Sequence, residues 1–139
     1  HYLGKEAIMN LMVMRFANIL FEHVWNRNYI DSVTVAWEED KNIGSRGGYF
    51  DGAGIIRDVI QNQLLQILAL VAMEKPSSYD SESIMAEKNK AVKSIEKITL
   101  ENCILGQYTH GVCGGKPDVG YTDEESVPSG SKRETFAKI

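Results

Sequence analysis

The segment from Ile55 to Glu74 constrains the fold most. Ile56, Val59, Ile60, Ile67 and Leu70 recur at helical spacing, which predicts a long buried helix with one apolar stripe. It stops before KPSS, because Pro76 disfavours helical geometry at Lys75. A neutral amide, Gln63, falls on that stripe, one turn past the carboxylate of Asp58. An amide on an apolar face raises the question of what it meets there.

A second segment, residues 4–25, carries Ile8, Leu11, Met12, Phe16, Ile19 and Leu20 at the same spacing. Met9, Val13, Phe21 and Val24 fill its reverse face, so the spacing predicts a helix buried within a larger body. Its Met and Phe residues read as core filler rather than a cofactor box. A third helix is predicted over residues 81–97, capped by Asp80 or Ser81, with Ile84, Ala91, Val92 and Ile95 on one face.

Three stretches read otherwise. SVTVAWEE (Ser32 to Glu39) alternates with period two, a strand pattern with Val33, Val35 and Trp37 on one face. Glu39 continues that face, either as a rim residue in water or as a site residue. Residues 42–54 hold five glycines and predict a loop or hairpin connection. They contain neither a GxGxxG fingerprint nor a Walker lysine, and only Arg46 and Tyr49 have obvious binding potential. CILGQY is a short strand candidate, residues 109–134 a long Gly, Pro, Ser and acid-rich loop, and ETFAKI the start of another strand. The order is α+β, with a sheet too small to stand by itself.

The totals bound function by exclusion. A chain of 139 residues makes one domain, and a net charge of −4 argues against nucleic acid, which needs a basic face. Cys103 and Cys113 form no CxxC pair, so no metal site is expected and a reduced, cytoplasmic protein is the default. No run of ~18 unbroken apolar residues predicts a membrane span. The chain opens on His and stops as a strand begins, which leads us to expect a piece of a larger protein.

HYLGK opens the chain. If a helix begins there, His1, Tyr2 and Lys5 would join the free N–H groups of its first turn around one point, a sensible phosphate site. Three polar residues at a chain end are otherwise simply solvated.

HYLGKE resembles the glucose-6-phosphate dehydrogenase signature, in which an Asp precedes the His. MRFAN, WNRNYI, RGGYFDGAGIIRDVIQNQLLQILALVAMEKP, EKNKAVKSI, LGQY and VPSGSKRETFA are similar to family stretches in the same order. The resemblance implies that residues 1–139 are part of a C-terminal, sugar-phosphate-binding domain, with helices packed on part of a large antiparallel sheet. The N-terminal domain that binds NADP would lie outside this chain. His1, Tyr2 and Lys5 would grip the phosphate of glucose 6-phosphate, with the backbone of Leu3 and Gly4 alongside. Glu39 and Asp58 would accept hydrogen bonds from sugar hydroxyls, which suits acceptor-only groups facing a polyol. The resemblance further implies an enzyme of the oxidative pentose phosphate pathway, a homo-dimer or homo-tetramer, and no metal, nucleic acid or membrane.

Two departures from the family pattern stand out. The family's general base is a histidine where this chain has Gln63, and the histidine's Asp partner would stand just before His1. The expectation is therefore a fragment not competent for catalysis by itself. The alternative is a non-catalytic family member that binds sugar phosphate or a partner subunit. An engineered change, a natural inactive relative and a one-base reading error each fit the glutamine.

Overall fold

The computed structural model describes residues 4–139. Its elements are α1 (Glu6–Phe16), α2 (Ile19–Glu22), α3 (Gly47–Ile55), a π-helical segment (Ile56–Leu64), α4 (Leu65–Ala72), α5 (Ser81–Lys93) and four strands. The strands are β1 (Ile104–Gly106), β2 (Gly111–Cys113), β3 (Lys116–Asp118) and β4 (Phe136–Lys138). They form two antiparallel pairs, β1 with β4 and β2 with β3. The chain divides into two compact units. One takes the residues up to Ala36 together with Gln63–Glu96, the other Trp37–Asn62 with Lys97–Ile139.

The first unit is helical. The single helix expected over residues 4–25 is two, because Asn18 takes extended geometry (φ −115°, ψ 107°) and its side chain accepts the Leu20 N–H at 3.1 Å. Asparagine that bonds local backbone competes with helix propagation and favours a cap. Phe16, Ala69 and Met73 are buried, and Arg15 is buried with them. The Arg15 guanidinium donates to the carbonyls of Leu70 at 2.6 Å and Met73 at 2.9 Å. It also lies over the rings of Phe16 and Trp25, 4.5 and 5.0 Å from their centres. Trp25 Nε1 donates to the Val71 carbonyl at 2.9 Å. Together these donors satisfy carbonyls that the end of α4 leaves without helical partners.

Asp80 is the residue that caps α5, accepting the Ser83 N–H at 2.8 Å. That bond also holds its carboxyl below the ordinary range. The helix closes at Lys93, short of the expected Lys97, where Ser94 Oγ turns back to the Ala91 carbonyl at 2.7 Å.

The second unit corrects the reading of residues 42–54. This stretch is not a loop: a 3-10 turn (Gly44–Arg46) leads into α3. Two of its glycines, Gly47 and Gly54, serve close approach. A Cβ at Gly47 would sit 2.7 Å from both the Glu125 carbonyl oxygen and Val127 Cγ2. Gly54 breaks the helix with φ 78° and ψ 165°, a left-handed position that a side chain resists. Phe50 and Tyr121 are buried and meet edge to face, as do Tyr108 and Tyr121. The long segment 109–134 is not structureless either, since it contains the β2–β3 hairpin and a 3-10 turn at Tyr121–Asp123.

Residues 32–39 form no ladder among the described residues, so the expected strand is not formed there and the segment is irregular. Alternation specifies a face, but a strand also needs a partner to bond, and β1 pairs instead with β4. The α+β class stands, with helices and small antiparallel sheets. The helical run Gly44–Ala72, 29 residues with a window of mean hydropathy 1.3, is long and apolar enough on those grounds alone to cross a membrane. Its uninterrupted apolar stretches are shorter, since Arg57, Asp58 and the amides at Gln61, Asn62 and Gln63 divide it.

Candidate functional site

The kink at Gly54 organises the acidic candidate, Asp58. The backbone at the kink is fastened from the far end of the chain. Ile55 N–H donates to the Glu134 carbonyl at 3.2 Å, and Arg133 Nε donates to the Asp51 carbonyl at 2.5 Å. The Asp51 carboxylate accepts from Tyr121 Oη at 3.0 Å and from Ser131 Oγ. A Cβ at Gly54 would run into the Glu134 carboxylate and the Arg133 side chain, so only glycine fits under this clasp.

Past the kink, Asp58 stands in the first turn of the π segment, half-buried. Tyr49 Oη donates to its Oδ1 at 3.3 Å. Its neighbour Arg57 turns away and donates to the Ala53 carbonyl at 3.2 Å. Asp58 thus keeps acceptor capacity. Within the π segment the backbone bonds run from i to i+5, so residues five apart stack along one side. The spacing of the apolar stripe predicts an α-helix here, which turns residues five apart by about 140°. Such π insertions recur at functional sites.

Two tyrosines brace the second unit. Tyr108 Oη donates to Glu124 at 2.9 Å and accepts the Ile43 N–H at 3.5 Å. Desolvation, then the bond to Glu124, pushes its phenol up to about 12. Desolvation and the bond to Asp51 push Tyr121 up further. Asn42 Nδ2 donates to Asp118 at 2.5 Å, which ties the lead-in to α3 to the β2–β3 hairpin. Glu39 lies exposed on the irregular segment before it.

The phosphate candidates divide. His1, Tyr2 and Leu3 lie outside the described residues. Gly4 and Lys5 are exposed, and α1 begins at Glu6 with Lys5 as its N-cap. Lys5 and Gln63 belong to the first unit, and Glu39 and Asp58 to the second. Asp58 is bonded to Tyr49 within the second unit.

The first unit also has an open apolar recess of about 120 Å³, lined by Leu68, Ala69, Ala72, Ala91, Ser94 and Ile95. With no charge in its lining it does not suit a sugar phosphate. Among the described residues no group of three His, Cys, Asp or Glu side chains could hold a metal ion. Sequence reasoning missed the supporting residues Asp51, Tyr108, Tyr121, Ser131 and Arg133. Their partners are far along the chain, and no local spacing links them.

The comparisons with known proteins agree with one another. The family model for the C-terminal domain of glucose-6-phosphate dehydrogenase matches residues 12–139. Glucose-6-phosphate 1-dehydrogenase 1, chloroplastic, of Arabidopsis thaliana is 53% identical over 99% of this chain and 24% of its own length. The Caenorhabditis elegans glucose-6-phosphate 1-dehydrogenase is 50% identical over 99% of this chain and 27% of its own. A solved glucose-6-phosphate dehydrogenase in complex with its substrate glucose-6-phosphate superposes with a TM-score of 0.85 at 47% identity, over 99% of this chain and 28% of that one. The Mycobacterium avium enzyme gives the same TM-score at 35% identity. The chain thus spans about a quarter of the length of the curated relatives it matches.

Proposed function

The chain belongs to the glucose-6-phosphate dehydrogenase family, and from that premise we propose that it forms part of the sugar-phosphate-binding domain of an enzyme that oxidises glucose 6-phosphate with NADP. The observation that carries this reading is the match, over 99% of the chain, to a dehydrogenase solved with glucose-6-phosphate bound. Glu39 and Asp58 accept hydrogen bonds from sugar hydroxyls, and His1, Tyr2 and Lys5 take the phosphate, with the backbone of Leu3 and Gly4. The described residues do not fit a dinucleotide. The glycines of residues 42–54 lie in helical turns, and two of them are closed by packing at Gly47 and Gly54. NADP therefore belongs to an N-terminal domain beyond these residues. The large antiparallel sheet, extending the β1–β4 pair, a homo-dimer or homo-tetramer, and a cytoplasmic location complete the reading. Several plant relatives are chloroplastic by name.

Oxidation at C1 requires the C1 hydroxyl to lose a proton as the carbonyl forms. An imidazole near neutral pKa takes such a proton, and a carboxamide has no basic form to do so. The Gln63 carbonyl oxygen still accepts a hydrogen bond from the hydroxyl, so binding survives where chemistry fails. Gln63 also favours a second reading, a non-catalytic family member that binds sugar phosphate or a partner subunit. The test is glucose-6-phosphate-dependent NADP reduction by the full-length parent, with Gln63 and with Gln63→His. Turnover that rises about 10²–10⁴-fold with the histidine supports a sound site that lacks its base. Two inactive forms that still bind glucose 6-phosphate favour the non-catalytic reading. Equal activity removes the base from this position.

A further inference from the structure

We infer that Tyr49 is a positioning residue for the sugar site, holding the Asp58 carboxylate in the orientation that receives a sugar hydroxyl. The inference rests on the proposed role of Asp58. Tyr49 and Asp58 are nine residues apart, and on a straight α-helix that spacing means about 13.5 Å of rise and opposite faces. Here Tyr49 Oη reaches Asp58 Oδ1 at 3.3 Å because the helix is broken between them at Gly54. The break is held in place by the Glu134 carbonyl on Ile55 N–H and by Arg133 on the Asp51 carbonyl. The meeting of Tyr49 and Asp58 is thus a product of the clasped kink.

The chemistry suits a positioning role. A phenol bonded to Oδ1 restricts the carboxylate rotor and leaves Oδ2, with the remaining lone pair of Oδ1, for substrate. A tyrosine adds no charge, so the carboxylate keeps its acceptor strength. A lysine or arginine there would compete with the hydroxyls. Arg57, the cation nearest in sequence, is diverted to the Ala53 carbonyl. Tyr49 is itself 68% exposed, so its ring contributes little to the core, and loss of the hydroxyl tests positioning rather than folding.

The test is calorimetric titration of the full-length parent with glucose 6-phosphate, for Tyr49→Phe, Asp58→Asn and the double variant, with thermal melting of each. Binding needs no base, so the presence of Gln63 does not obscure the result. Tyr49→Phe is expected to raise Kd about three- to tenfold, as one hydrogen bond to a partly exposed charged group would. The same change in the Asp58→Asn background is expected to have no further effect, because Tyr49 acts through that carboxylate. Inorganic phosphate should bind Tyr49→Phe as it binds the unaltered protein. A Kd unchanged by Tyr49→Phe, or a loss that persists in the Asp58→Asn background, overturns the inference and leaves the sugar-binding reading of Asp58 standing. If Asp58→Asn alone leaves Kd unchanged, that reading falls and takes the role of Tyr49 with it.

Discussion

Arg15 shows what a single residue can do that its neighbours in sequence do not announce. Within MVMRFAN nothing local marks its role, because its partners at Leu70 and Met73 lie 55 and 58 residues away. In the folded unit it is 6% exposed. Burial lowers its pKa to about 10, against a smaller opposing effect of Glu74, and it remains charged at neutral pH. Among the described residues its Nε has no hydrogen-bond partner, so the side chain carries a desolvation cost that the two carbonyls and two rings offset. Replacement by Met keeps the packing volume but leaves the end of α4 without donors. We expect Arg15→Met to lower stability by roughly 2–4 kcal/mol in the full-length parent, measured by urea denaturation. Arg15→Lys should recover only part of this, because one ammonium cannot reproduce the fork of a guanidinium. A loss within about 0.5 kcal/mol would show the cap to be dispensable. Gln63, by contrast, drew notice because a polar group stands out on an apolar stripe, and Asp58 through the family resemblance. What the stripe did not show is that the helix around them is a π segment.

At the scale of elements, legibility tracked whether the deciding interaction was local. The Asp80 cap and α5 were readable because the cap and the helix are adjacent. Residues 42–54 were not, because five glycines look like a loop until Glu125 and Val127 are seen packed against Gly47, and Glu134 against Gly54. The segment at 32–39 has the alternation of a strand without a ladder partner in the described residues. The brace built by Tyr108 and Tyr121 likewise joins α3 and its lead-in to residues more than sixty positions away. That brace has a pH signature. The folded Tyr108 phenol sits at about 12, against 10.0 for the unperturbed group, so below pH 10 both states keep the proton and the contribution is complete. Between pH 10 and about 12 the unfolded chain releases the proton while the folded one retains it. Stability must then fall as pH rises. Tyr121 shifts in the same direction and adds to the slope. Denaturation midpoints of the full-length parent should decline across that window, more steeply than in Tyr108→Phe. Equal slopes would mean the brace does not favour the neutral phenol.

At the scale of the whole molecule, what is conspicuous is how little of the apolar residue content is covered. The first unit buries Phe16, Ala69 and Met73, and the second Phe50 and Tyr121. Against these stand Ile19, Leu20, Leu100 and Val112, each at least 70% exposed, and the most apolar window of the Gly44–Ala72 run is only 6% buried within this chain. Two-stranded sheets such as β1–β4 are marginal in water without a third strand or a covering helix. A unit of this size with so thin a core lacks the burial needed to offset its conformational entropy. The periodicity of residues 4–25 already called for a larger body around them, and the chain's quarter share of its relatives' length agrees. The 139 residues produced alone should therefore bind a hydrophobic dye strongly, lose structure over a broad thermal range and associate with rising concentration. In the full-length parent the amides of β1 and β4 should exchange slowly with solvent, and in the isolated chain quickly. A sharp, concentration-independent melting transition of the isolated chain would refute this and mark a free-standing α+β module. In that case the exposed apolar residues would need a function of their own rather than a missing neighbour to cover them.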